Sequence, residues 1–151
     1  MTPNIYDEAS YKWVEVDDDS DTYKIRHDYA ILGHDLAKGT CDMLVRWSGD
    51  GGHCIRHRHV ATTTSLVIRG EHHLIDLYGG GRTENRVKRA GDYGLSLGDA
   101  VPHMERGGDE GALVFFGNHT ANGILYELVD ADLKVTLEVT IRDMVELWQR
   151  Q

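Results

Sequence analysis

Two histidines two residues apart, His57 and His59, are the first feature of the chain that could do chemistry. On a strand, alternate side chains share one face. Both imidazoles would then point the same way, with their Cα atoms about 6–7 Å apart, which suits two adjacent positions on one metal ion. His103 is a third candidate ligand, at the end of the glycine-framed segment Gly91-Asp-Tyr-Gly-Leu-Ser-Leu-Gly-Asp-Ala-Val-Pro-His103. Glu105, two residues on, shares its face if the strand continues, where it could orient a ligand histidine or take a substrate proton. Thr63 and Ser65 continue the face of His57 and His59, and Arg69 could anchor an anionic substrate. Of the adjacent pair His72-His73, only one can face an interior. His27, His34, His53 and His119 are expected in or near turns, as surface or hydrogen-bonded residues. Cys54 differs in strand parity from His57 and is not expected to be a ligand.

These residues need a β scaffold. Of 17 glycines, 15 lie between Gly49 and Gly123, separating short runs rich in Val, Ile, Leu and Tyr. Short strands divided by turn signals predict an all-β sandwich or barrel. The expected strands are Lys12–Val16, Tyr23–Ala30, Asp42–Trp47, Ser65–Arg69, His72–Tyr78, Asn85–Lys88, Leu113–Phe116, Ile124–Val129 and Leu133–Ile141. Gly79-Gly80-Gly81 reads as a hairpin turn, and the acidic run Asp17-Asp18-Asp19-Ser20-Asp21 as a solvated turn. One helix is expected, Arg142–Gln149, with Met144, Leu147 and Trp148 at helical spacing across one end of the barrel.

The chain of 151 residues is read as one domain, 1–151, with 40% hydrophobic and 27% charged residues. Its formal charge of −9 argues against nucleic acid as a partner, and no apolar run approaches a membrane span. Two cysteines, Cys41 and Cys54, are too few for a disulfide framework, and a cytoplasmic setting is expected.

Gly51, His57, His59 and Gly70, followed by Gly91, Pro102 and His103, resemble the two motifs of the cupin superfamily, at about 51–70 and 91–107. The resemblance spans roughly Met43 to Val129. It implies a double-stranded β-helix, or jelly-roll barrel, with a short C-terminal helix and a metal held by His57, His59 and His103. The sequence departs from the pattern where Thr63 stands in the slot of the first-motif Glu, where Leu97-Gly98 replaces a proline, and where Gly107 replaces an Asn. Three histidines without that Glu are similar to the three-histidine cupin dioxygenases, such as those cleaving acetylacetone or dihydroxyacetophenone.

The likeness implies Fe(II), O2 and a small chelating substrate such as a β-diketone. Imidazole ligands alone suit Zn, Ni and Cu as well. A zinc-binding cupin sensor, or a cupin isomerase or sugar-binding protein, is the alternative. Three neutral imidazoles would leave a divalent ion at +2, favouring an anionic enolate. Small cupins commonly pair, so a homodimer or homotetramer is expected, with the segment up to Ala30 able to supply a swapped edge strand.

Overall fold

The computed structural model describes residues 2–19, 21–98 and 101–151. After a 3-10 turn at Glu8–Ser10 come the strands β1 (Val14–Asp18), β2 (Ile25–Asp35), β3 (Thr40–Trp47), β4 (His57–His59) and β5 (Thr62–Gly79). They are followed by β6 (Arg82–Arg89), β7 (Tyr93–Ser96), β8 (His103–His119), β9 (Ile124–Val129), β10 (Val135–Thr140) and the helix α1 (Ile141–Gln149). The strands curl into a jelly-roll in the order β1-β2-β3-β8-β4-β9-β10, with β5 joining β6, β7 and β8. The all-β expectation with one C-terminal helix is borne out.

The wall packs by alternation. On β5, Thr63, Ser65 and Val67 are buried, and between them Thr64 and Leu66 face outward. Met43, Val45 and Trp47 of β3 and Ala112, Val114 and Phe116 of β8 turn inward to the same core. Helix α1 closes one end. Thr140 caps it, accepting from Asp143 N at 3.1 Å and donating its own N–H to Asp143 Oδ2 at 2.9 Å. Ile141, Met144 and Val145 form its buried face, and Tyr29 Oη donates to the Met144 carbonyl at 2.9 Å.

The main departure from expectation is strand length. Ser65–Arg69 and His72–Tyr78 are two halves of β5, and Leu113–Phe116 is part of the 17-residue β8. Gly70 bends β5 instead of ending it. Its φ of 72° lies in the left-handed region, register shifts flank it at Val67/Arg69 and Gly70/His72, and it pairs with Ala112. A Cβ there would fall on the backbone of Gly111, itself at φ 77°. The corner lets both strands pass from one wall to the other while they stay paired. At the next turn Gly80 and Gly81, both at positive φ, form the expected hairpin between the paired Gly79 and Arg82.

β7 was not anticipated, because its Gly94 and exposed Tyr93 and Leu95 carry no buried alternation. The first strand lies two residues later than expected and takes in Asp17 and Asp18, so the acidic turn is shorter. Its Ser20 lies outside the described residues, as do Asp99 and Ala100 of the second motif. Among the described residues no helix is long and apolar enough to cross a membrane.

The corner makes a direct prediction. Gly70→Ala should cost about 2 kcal/mol or more, combining backbone strain with a backbone collision. Gly33→Ala, where a Cβ meets nothing within 4 Å, should stay within about 0.5 kcal/mol of wild type. Denaturant unfolding of both variants checks the contrast. Equal midpoints would show that the bend does not need glycine.

Candidate metal centre

β4 is only three residues long, but it is wedged between two strands. His57 pairs with His103 of β8 and with Leu128 of β9, and His59 pairs with Tyr126. The cross-strand pairing brings three imidazoles together. Ring centroids are 5.0 Å apart for His57 and His59, 4.6 Å for His57 and His103, and 5.1 Å for His59 and His103. All three side chains are buried.

Each ring is oriented from behind. His57 Nδ1 lies 2.7 Å from the Ile55 carbonyl, and His103 Nδ1 lies 3.3 Å from the Val101 carbonyl. A carbonyl only accepts, so both Nδ1 atoms carry a proton and both Nε2 atoms turn inward. Burial lowers His57, but Cys54 and Glu105 outweigh it and raise the ring well above its ordinary pKa, so its Nε2 carries a second proton that a metal ion would displace. His59 Nδ1 faces Thr63 Oγ1 at 3.2 Å, and that hydroxyl donates to Asn118 Oδ1 at 2.9 Å. The Asn118 amide in turn donates to the Cys41 carbonyl at 3.1 Å. The relay leaves the Thr63 oxygen free to accept from His59, so this ring too turns Nε2 inward. Burial, helped by neighbouring His57, pushes His59 well down and His103 down to about 3, so both are neutral near pH 7.

A carboxylate joins the histidines. Glu105 Oε2 lies 3.3 Å from His57 Nε2 and 3.8 Å from His103 Nε2. One donor atom from each of His57, His59, His103 and Glu105 falls within 4.8 Å of every other, an arrangement that could hold a metal ion. Glu105 was expected on the face of His103 as an orienting or proton-accepting group, and it stands there beside the three histidines. The first-motif slot is a threonine, and β8 supplies the acid from the face of His103 instead. Burial would raise the Glu105 carboxyl, but hydrogen bonds from His57 and His72 outweigh it and hold the group well below the usual carboxylate range.

The site fits a metal by its donor chemistry. His103 Nε2 is buried and has no hydrogen-bond partner among the described residues. An orphaned lone pair aimed at a carboxylate is unfavourable unless a cation lies between them.

His72 is the inward member of its pair, with Nε2 2.9 Å from Glu105 Oε1. His27 and Arg69 stand elsewhere than sequence reasoning placed them, and Cys54 lies outside the four-residue donor group but beside it. Cys54 Sγ accepts from Glu105 N at 3.1 Å and lies 3.6 Å from His57 Nδ1. Strand parity does not apply to it because residues 54–56 are not strand. His27 stands on β2, faces the interior, and is pushed down to about 4 by burial. Arg69 points outward, where it grips Glu8 through two bonds of 2.9 Å and lines neither cavity at the centre. Asn118 was missed, and Tyr126, a pocket-lining candidate, was assigned no role. Asn118 shares strand parity with Phe116, and Tyr126 is paired with His59 only through a non-local register.

Two cavities meet at the cluster. One, of about 380 Å³, is the more polar of the two and is lined by Ser65, Asp76, Arg86 and Lys88 together with His59, His103 and Glu105. The other, of about 200 Å³, is mainly apolar and runs under His57, His59 and Glu105 toward Tyr126, Leu125 and Met144.

The architecture is that of the cupins. The structure is similar to an acetylacetone dioxygenase from Acinetobacter johnsonii, with a TM-score of 0.67 and 12% identity, over 90% of this chain and 85% of that one. It is similar to a cupin 2 conserved barrel domain protein from Rhodopseudomonas palustris, with a TM-score of 0.62 and 14% identity, over 82% and 81% of the two chains. A third similar structure is the Fe(II) form of HppE, with a TM-score of 0.55 and 16% identity, over 73% of this chain and 56% of that one. No protein-family model matches the chain, and no curated protein matches it in sequence.

The Thr63 relay is testable. Thr63→Val keeps the shape but leaves His59 Nδ1 without an acceptor. Affinity for Zn(II), measured by chelator competition, should fall about tenfold or more, and Thr63→Ser should restore it. Equal affinities in all three proteins would deny the hydroxyl any orienting role.

The position of Arg69 predicts a pH effect on stability. Its hydrogen bonds to Glu8, together with the charges of Arg69 and Arg46, hold the Glu8 carboxyl below the usual carboxylate range, against a smaller opposing effect of burial. A carboxyl lowered by folding stabilises the protein fully above its unfolded value, near 4.3, and loses that contribution as pH falls through the lowered folded value. Arg69→Ala should therefore cost about 0.5–1 kcal/mol at pH 7 and almost nothing near pH 2–3. A cost independent of pH would place the contribution in packing.

Proposed function

We propose that this chain is a non-haem iron dioxygenase that uses O2 to cleave a carbon–carbon bond in a β-diketone or related chelating ketone. In this reading His57, His59 and His103 hold the ion through Nε2, with Glu105 as a fourth ligand. The observation that carries it is the convergence of three fixed imidazole nitrogens and a carboxylate where two cavities meet. The similarity to an acetylacetone dioxygenase supports the reaction class. A purely structural ion would not need open space on two sides.

The bound iron would supply Lewis acidity toward a chelating enolate and the redox chemistry with O2. The protein's own residues do the positioning. The Ile55 and Val101 carbonyls and the Thr63 hydroxyl hold the three rings by their outer nitrogens. His72 holds Glu105 by Oε1, which leaves Oε2 for the ion. Phe116 lies against both cavities, and Leu125 and Leu128 line the apolar one, keeping water from the reacting carbons. Glu105 lowers the formal charge of an Fe(II) centre from +2 to +1, which a monoanionic enolate neutralises.

The test is metal analysis followed by O2 uptake with a panel of β-diketones. One iron per chain and one O2 consumed per diketone are expected. His103→Ala should lose at least 100-fold in iron affinity, beyond the effect of removing an orienting partner alone, while far-UV circular dichroism stays unchanged. Full iron occupancy with no O2 uptake on any diketone would favour the non-catalytic metal-binding reading.

A further inference from the structure

The polar cavity holds a positive charge that the proposed chemistry does not use. Lys88 is the most buried residue of β6, paired with His72 across the sheet. Its Nζ donates to Ser65 Oγ at 3.2 Å, and burial pushes its pKa down. Among the described residues it forms no ion pair. The contrast with Arg86, two residues away on the same face, is direct, because Asp76 neutralises that guanidinium through bonds of 2.7 and 3.0 Å.

The space for Lys88 is built. β7 runs over the ammonium at Gly94, where any Cβ would strike both Lys88 Nζ and Ser65 Oγ. Ser65 is two residues along β5 from Thr63, whose hydroxyl touches His59. That spacing is about 7 Å along one face of the strand. A half-buried ammonium bound, among the described residues, only to a hydroxyl is incompletely compensated, and an anion in the cavity would complete it.

We propose that Lys88, with Ser65, is a subsite for a carboxylate, and that the preferred substrate is a β-dicarbonyl acid and not a neutral β-diketone. The proposal rests on the reading of the histidine cluster as a chelating metal centre. The dicarbonyl end lies at the cluster and the carboxylate at Lys88, so Lys88 determines specificity and takes no part in the reaction.

The test measures equilibrium binding to the Zn(II)-loaded protein, which cannot turn over, by isothermal titration. The probes are acetylacetone, which is neutral, and acetylpyruvate, which has the same carbon count and adds a carboxylate. Wild type should bind acetylpyruvate at least tenfold more tightly than acetylacetone, with the preference shrinking as salt is added. Lys88→Met should abolish most of that preference, and Lys88→Arg should keep much of it. Metal content measured in each protein shows that the centre is intact. A preference unchanged in Lys88→Met, or no preference in wild type, overturns the carboxylate subsite. Affinities for both probes that survive removal of the zinc overturn the chelating centre itself. Loss of acetylacetone binding on metal removal, with a residual Lys88-dependent affinity for acetylpyruvate, supports both.

Discussion

Four polar side chains share one buried volume at the heart of this barrel, and the surrounding structure is organised to make that tolerable. Buried polar groups are stable only when partnered. The Ile55 and Val101 carbonyls and the Thr63 hydroxyl satisfy the outer nitrogens of the three imidazoles, and His72 takes one oxygen of Glu105. Each of these partners is itself fixed. Thr63 is tied through Asn118 to the backbone of β3, and Cys54 is clamped between the backbone of Glu105 and His57. Once the outer atoms are satisfied, the inner ones have no arrangement open to them except to face one another.

That constraint explains the strand pattern. A three-residue β4 could not hold His57 and His59 alone, so β8 and β9 flank it and fix its register. β8 must then bring His103 and Glu105 to the centre at one end and Asn118 behind His59 at the other. It does so by bending with β5 at the Gly70–Gly111 corner. The glycines that look like strand ends are therefore the means by which a single strand serves both ends of the site.

Much of this was legible in residue types and short spacings. The alternation His57-x-His59, the shared parity of His103 and Glu105, and the single inward member of His72-His73 are all local facts of strand geometry. The barrel class followed from glycine punctuation and β-rich runs. What was not legible depended on non-local register or on departures from strand geometry. Glu105 comes within reach of His57 because β4 packs beside β8. Cys54 reaches the centre because the segment before β4 is a loop, where strand parity does not apply. Lys88 does not stand out in the sequence because every residue of β6 but Val87 is polar, and only its pairing with His72 turns one of its cations inward.

The carboxylate changes the electrostatic argument for the substrate. Three neutral imidazoles around a divalent ion would leave two positive charges, enough to hold a dianion without further help. On the proposed reading, Glu105 in the ligand set would leave one positive charge, which an enolate would cancel. A second negative charge on the same substrate would then face the buried Glu105 with nothing at the centre to offset it. The cavity supplies the offset in Lys88, whose neighbour Arg86 is already spent on Asp76. The acid on β8 and the unpaired cation on β6 are thus two halves of one charge balance. The first would limit what the ion can hold alone, and the second would extend it within the cavity that Glu105 and Lys88 both line.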